Sequence, residues 1–148
     1  MSKKYFICDF ARSDSGKTTV LNQLAKKLKQ HKEIVQVDSD DLRNGDMWYL
    51  FEYKGKKICI ITSGDNSKDM EEWYGWALDY KADVIVCASR SKGDTIDCVN
   101  DFADKGDYYV VWLSNYYCNS DEAIIDTLND STVESILNVI EKLLNVKF

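Results

Sequence analysis

Tyr5-Phe6-Ile7-Cys8-Asp9-Phe10-Ala11-Arg12-Ser13-Asp14-Ser15-Gly16-Lys17-Thr18-Thr19-Val20-Leu21 decides the fold. Its first six residues form a short apolar run, broken only by Asp9, and read as a strand buried on both faces. From Lys17 to Gln30 the period changes. Val20, Leu21, Leu24, Ala25 and Leu28 recur at helical intervals and make one core-facing stripe. Lys26, Lys27 and Lys29 fill the wet face and suit the negative end of the helix dipole. Between strand and helix lies a polar loop, Ala11 to Gly16.

That loop and the first helical turn match the pattern G-x-x-x-x-G-K-[ST] at Gly16, Lys17 and Thr18, with Ala11 in place of the first glycine. A strand-to-helix loop of this kind turns several backbone amides toward one point, and the helix N-terminus adds partial positive charge there. Gly16 lets main chain approach a ligand without a Cβ in the way. The segment resembles the P-loop NTPase superfamily. The resemblance implies that Ser13, Asp14, Ser15, Gly16, Lys17, Thr18 and Thr19 bind a nucleoside triphosphate, ATP or GTP. Lys17 would reach the β- and γ-phosphates, and the Thr18 hydroxyl would hold Mg²⁺. Ala11 shapes the turn rather than contacting charge.

Further along the chain the alternation continues. Glu33 to Val37 reads as a second strand, ending in Asp38-Ser39-Asp40-Asp41. Met47 to Tyr53 and Lys57 to Thr62, separated by Lys54-Gly55-Lys56, predict a β-hairpin. A helix over Ser67 to Tyr80 turns Met70, Trp73, Tyr74, Ala77 and Leu78 inward. A core strand from Asp83 to Ala88 follows, then a helix from Thr95 to Asp104 and a last central strand from Tyr108 to Leu113. Two helical stretches close the chain, near Asp121 to Leu128 and Ser131 to Leu144, the second opened by a Ser131/Glu134 capping box. The expected class is α/β: a three-layer α/β/α, P-loop NTPase-like domain over residues 1–148, its sheet mostly parallel with a hairpin insertion at about 47–62.

The metal-side carboxylate is the open point. P-loop proteins carry an Asp at the tip of a core strand, but Ile58 to Ile61 ends in Thr62-Ser63-Gly64-Asp65. Asp65 is therefore one candidate, and Asp38 or Asp40 are others. The segment Val37-Asp38-Ser39-Asp40-Asp41-Leu42-Arg43-Asn44-Gly45 is similar to one in adenylylsulfate kinases and related small-molecule kinases. That likeness implies that Asp38 or Asp40 activates an acceptor hydroxyl and that Arg43 clamps an anionic acceptor. Those kinases also carry an arginine-rich lid, whereas this chain has only Arg12, Arg43 and Arg90. Arg90, just past a core strand, either stabilises charge on the transferred phosphoryl group or caps its loop. A GTPase reading is weaker. Ile61-Thr62-Ser63-Gly64 lacks the Asp of D-x-x-G, and Ser91-Lys92-Gly93-Asp94 only loosely resembles [NT]-K-x-D, so adenine is favoured.

Bulk properties narrow the function classes. The net charge is −6, and no basic tract exceeds two residues, which argues against nucleic acid as the main partner. No apolar run approaches the ~20 residues that span a bilayer, and the N-terminus lacks a signal-peptide pattern, so no membrane partner and a cytoplasmic location are expected. The five cysteines include no C-x-x-C pair and read as buried thiols. His31 is the only histidine, which leaves no Ser-His-Asp or Cys-His system. Trp48 or Trp76 is a candidate for stacking on a ligand or partner, with core packing the commoner role. Two functions compete: a small kinase moving the γ-phosphate of ATP to a small acceptor, and a nucleotide-gated module that engages another protein.

Overall fold

The computed structural model describes residues 3–10, 17–41, 47–62, 67–90, 94–116, 118 and 122–148. In chain order these form β1 (Tyr5–Phe10), α1 (Lys17–Gln30), β2 (Val35–Asp41), β3 (Met47–Tyr53), β4 (Lys56–Ile61), α2 (Ser67–Asp79), β5 (Val84–Ser89), α3 (Asp94–Gly106), β6 (Tyr109–Leu113) and α4 (Glu122–Leu144). The strands make one sheet in the order β2-β3-β4-β5-β1-β6. β1 pairs in parallel with β5 and β6, and β4 with β5, while β3 runs antiparallel between β2 and β4. A mostly parallel sheet with a hairpin is thus what the sequence encodes.

The hairpin turn rests on two left-handed residues, Lys54 at φ 49° and Gly55 at φ 81°. Two consecutive positive φ angles give a turn whose twist matches that of the flanking strands, and glycine takes one of them without strain. At the other end of the hairpin, Thr62 N–H donates to Met47 O (3.0 Å) and Met47 N–H donates to Thr62 Oγ1 (2.9 Å).

Strand alternation sends successive side chains of the central strands into two cores. Phe6, Cys8, Cys59, Ile61, Ile85 and Cys87 pack under α2 and α3, against Met70, Trp73, Tyr74, Val99 and Phe102. Ile7, Ile58, Ile60, Val84 and Val86 pack under α1 and α4, against Leu21, Leu24, Leu28, Val133, Ile136 and Ile140. All the apolar positions read as the α1 stripe are buried. Tyr49 Oη–H adds a bond to Asn22 Oδ1 (2.7 Å), which ties β3 to α1. Cys8, Cys59, Cys87 and Cys98 are buried free thiols, and Cys118 is half-buried.

Three elements differ from their sequence reading. β2 begins at Val35 and continues through the aspartates to Asp41, because β3 pairs with it over that length: Asp38 faces Leu50, and Asp40 faces Trp48 in register. The last strand, β6, lies at the sheet edge rather than centrally; among the described residues only β1 pairs with it, and Tyr109 and Trp112 are exposed. The two predicted C-terminal helices are one, α4. Ser131 therefore sits inside the helix, where its carbonyl accepts from Ser135 Oγ (3.0 Å), and no capping box forms there. Thr132 Oγ1–H bonds back to Leu128 O (3.1 Å) and accepts from Tyr116 N–H (3.0 Å), so the polar residues at this point support the helix instead of ending it. His31 is half-buried and meets Tyr53 and Phe148 edge-on.

Ile60 is fully buried on β4 between α1 and the sheet. Ile60→Ala should lower unfolding free energy by about 2–5 kcal/mol, read as an earlier urea midpoint at unchanged slope.

Candidate nucleotide site

In an open α/β sheet, ligands lie outside the carboxyl ends of the strands, where neighbouring strands send their connections to opposite faces. β1 leads to α1 on one face, and β5, its parallel neighbour, leads to α3 on the other. The crevice between the tips of β1 and β5 is therefore the place that the topology provides.

Lys17 opens α1 at this crevice and is buried. Its Nζ donates to Ser89 O at the tip of β5 (3.1 Å), which ties the start of α1 to that strand end. Thr18 and Thr19 follow in the first turn and are exposed. The resulting donor set, an ammonium and a hydroxyl at a helix N-terminus, suits an anionic ligand with a hard cation beside it.

The strand flanking β1 ends in a hydroxyl cluster and not in a carboxylate. Ser89 is fully buried; its Oγ–H donates to Arg90 O (2.7 Å) and lies 3.3 Å from Thr95 Oγ1. Thr95 Oγ1 also accepts from Arg90 N–H (3.1 Å), which fixes the main chain at the start of the β5–α3 connection. The Arg90 side chain is exposed just beyond it, at the correct rim for a phosphate contact.

Asp9 belongs to no recognised motif, yet it lies at the site. It is fully buried near the tip of β1, beside Leu113 of β6 and Ala88 of β5 in register. Asn115 N–H donates to its Oδ1 (2.9 Å), while Oδ2 has no hydrogen-bond partner among the described residues. Burial pushes its pKa up to about 6, against the opposing pull of the Asn115 amide and the Lys17 charge. The signal was present in the sequence as a carboxylate inside an apolar strand. Ser89, Thr95 and Asn115 gave no signal, because hydroxyls and amides at strand ends are commonplace.

The other candidates fall in different places. Ser13, Asp14, Ser15, Gly16, Arg43 and Asp65 lie outside the described residues, as do Ser91 to Gly93. β4, which leads toward Asp65, is two strands from β1, about 10 Å away at ~4.8 Å per step. β2, with Asp38 and Asp40, is four steps away, about 19 Å. Asp38 is exposed and lines a cavity with Trp48, Trp76, Asp79 and Tyr80 on the flank of the sheet. Asp40 stands two residues nearer the rim that carries Lys17. Ile61, at the Asp position of the GTPase-like segment, is fully buried in the core under α2.

The raised pKa of Asp9 fixes the sign of a pH effect. Between the unfolded value of 3.8 and the folded value of about 6, the folded state holds the extra proton, so stability from this group falls as pH rises through that window. Asp9→Asn keeps an acceptor for Asn115 N–H and removes the charge. Its stability should match wild type at pH ~4 and exceed it by up to ~3 kcal/mol at pH ~7, measured by urea unfolding without ligand. A difference that stays constant with pH would show that Asp9 does not titrate in this range.

The model of the family described as Zeta toxin matches residues 11–131, most of the chain, including the loop, Lys17, the hairpin and both helices of the α2/α3 face. No individual curated protein matches the sequence. With a buried Lys17 at the switch point of a mostly parallel sheet, the chain belongs to the Zeta toxin family, a P-loop NTPase-like family of kinase type.

Proposed function

We propose that this chain is a single-domain, Mg²⁺-dependent phosphotransferase of the cytosol that moves the γ-phosphoryl group of ATP to a hydroxyl of a small anionic acceptor. The observation that carries this reading is Lys17: a buried ammonium held across the β1–β5 crevice by Ser89 O, in a family of kinase type. The amides of Ser13 to Thr19 would cradle the phosphates, and Lys17 would leave Ser89 O for the β- and γ-phosphate oxygens. Thr18 and Asp65 would hold Mg²⁺, which when bound neutralises charge developing on the phosphates. Arg90 would meet the transferred group from the β5 side. On the acceptor side we assign Asp40 to orient and deprotonate the hydroxyl and Arg43 to clamp the anion. Asp40 is preferred to Asp38 because it is nearer the rim. The separation of β2 from β1 requires an acceptor that reaches over the tips of β3 to β5, or loops that fold inward there.

A second reading keeps nucleotide binding and drops the acceptor. The strand beside β1 ends in Ser89, where a carboxylate would speed chemistry, and this favours a nucleotide-gated module with slow hydrolysis that engages a protein.

Lys17→Ala should weaken Mg-ATP binding by at least about tenfold, measured by calorimetry. ATP consumption by wild type should rise above the water-only rate with a hydroxylated, anionic acceptor, and Asp40→Asn should lower that kcat by about 10²–10⁴. If no acceptor raises turnover, the module reading stands and the kinase is lost. Since the family is described as a toxin, expression of wild type should also slow cell growth, and Lys17→Ala should relieve it.

A further inference from the structure

A second concave site lies away from Lys17. Asp38 of β2, Trp48 of β3 and Trp76, Asp79 and Tyr80 at the end of α2 enclose a cavity of about 420 Å³, within the range of small-molecule sites. α2 starts at the rim that carries Lys17 and runs away from it, and Tyr80 O at its far end accepts from Lys57 Nζ (3.3 Å). The cavity lies on the flank of the sheet, between the end of α2 and the edge strand β2, with Trp48 of β3 beneath it.

The walls have a definite chemistry. Trp48 is almost fully buried and forms the floor. Trp76 stands perpendicular to it, with ring centroids 6.5 Å apart at 87°, and Tyr80 is tilted against it at 5.3 Å and 42°. Trp76 is 37 % exposed and Tyr80 39 %, so their outer parts are open to a ligand. The two remaining walls are the exposed side chains of Asp38 and Asp79. Among the described residues no lysine or arginine lines the cavity. An anion would meet two carboxylates there, and a purely apolar ligand would strip water from them without replacement. A cation gains from both sets of walls: the negative faces of angled aromatic rings attract it, and the carboxylates pair with it.

We propose that this cavity binds an organic cation, a guanidinium or alkylammonium group on an apolar stem. The rings take the stem and the face of the cation, and Asp38 and Asp79 take its N–H groups or its charge. Such a group comes either from a free small molecule or from the side chain of a polypeptide. The site is independent of the nucleotide crevice and stands whether or not the chain transfers phosphate.

Ligand-observed NMR and calorimetry on the full chain test this with tetramethylammonium chloride, arginine amide and a short acetylated, amidated Gly-Arg-Gly peptide, each against sodium chloride at matched ionic strength. Saturable binding in the millimolar range or tighter is expected. Asp79→Asn and Trp76→Ala, both at exposed positions, should each weaken it by about tenfold or abolish it, whereas Trp76→Phe should retain most of it. Circular dichroism melts of the variants confirm that they fold. The peptide binding more tightly than arginine amide would assign the cation to a polypeptide, and equal affinity to a small molecule. Absence of saturable binding for all three probes, or binding that Asp79→Asn and Trp76→Ala leave unchanged, would overturn the proposal.

Discussion

A buried ammonium must be met by acceptors, because stranding its charge away from water costs several kcal/mol. Lys17 meets this constraint by donating to the carbonyl of Ser89, across the junction of β1 and β5. The bond requires α1 to start where it does, β5 to end where it does, and the two strands to be neighbours. The parallel register from Tyr5 and Val84 up to Phe10 and Ser89 sets all three conditions. The nearby Asp9 carboxylate feels the Lys17 charge, but burial outweighs that attraction. The crevice thus holds a buried ammonium bonded to a main-chain carbonyl and a buried carboxyl whose pKa is raised to about 6.

The insertion of β3 and β4 shapes the rest of the molecule. The hairpin places two strands between β5 and β2, which moves the aspartates of β2 to the sheet edge. On the proposed kinase reading, an acceptor at β2 and a phosphate at Lys17 would be bridged along the rim, so the fold would select for acceptor length. The same displacement puts β2 at the sheet edge beside the end of α2, and the rings of Trp48, Trp76 and Tyr80 gather there with two carboxylates. One insertion therefore explains both the breadth of the proposed transfer site and the presence of a second cavity.

Sequence pattern alone determined the strand–loop–helix at the start, the helical stripe of α1, the hairpin and the alternation that makes an α/β sheet. These are local properties: apolar period, turn chemistry and a Gly-Lys-Thr at a helix start are readable over a few residues. The family likeness carried by Gly16, Lys17 and Thr18 was legible for the same reason. Tertiary structure decided which strands are neighbours, and with that everything non-local. Pairing with β3 extended β2 through Asp41, contact with β1 alone put β6 at the edge, and packing on the sheet and α1 joined the two C-terminal segments into α4. It also decided that Ser89, from a strand 72 residues away in sequence, faces Lys17, and that Asp9 is a fully buried, desolvated carboxyl. Such facts depend on strand order, and strand order is fixed by the summed burial of both sheet faces, which no short window of sequence contains.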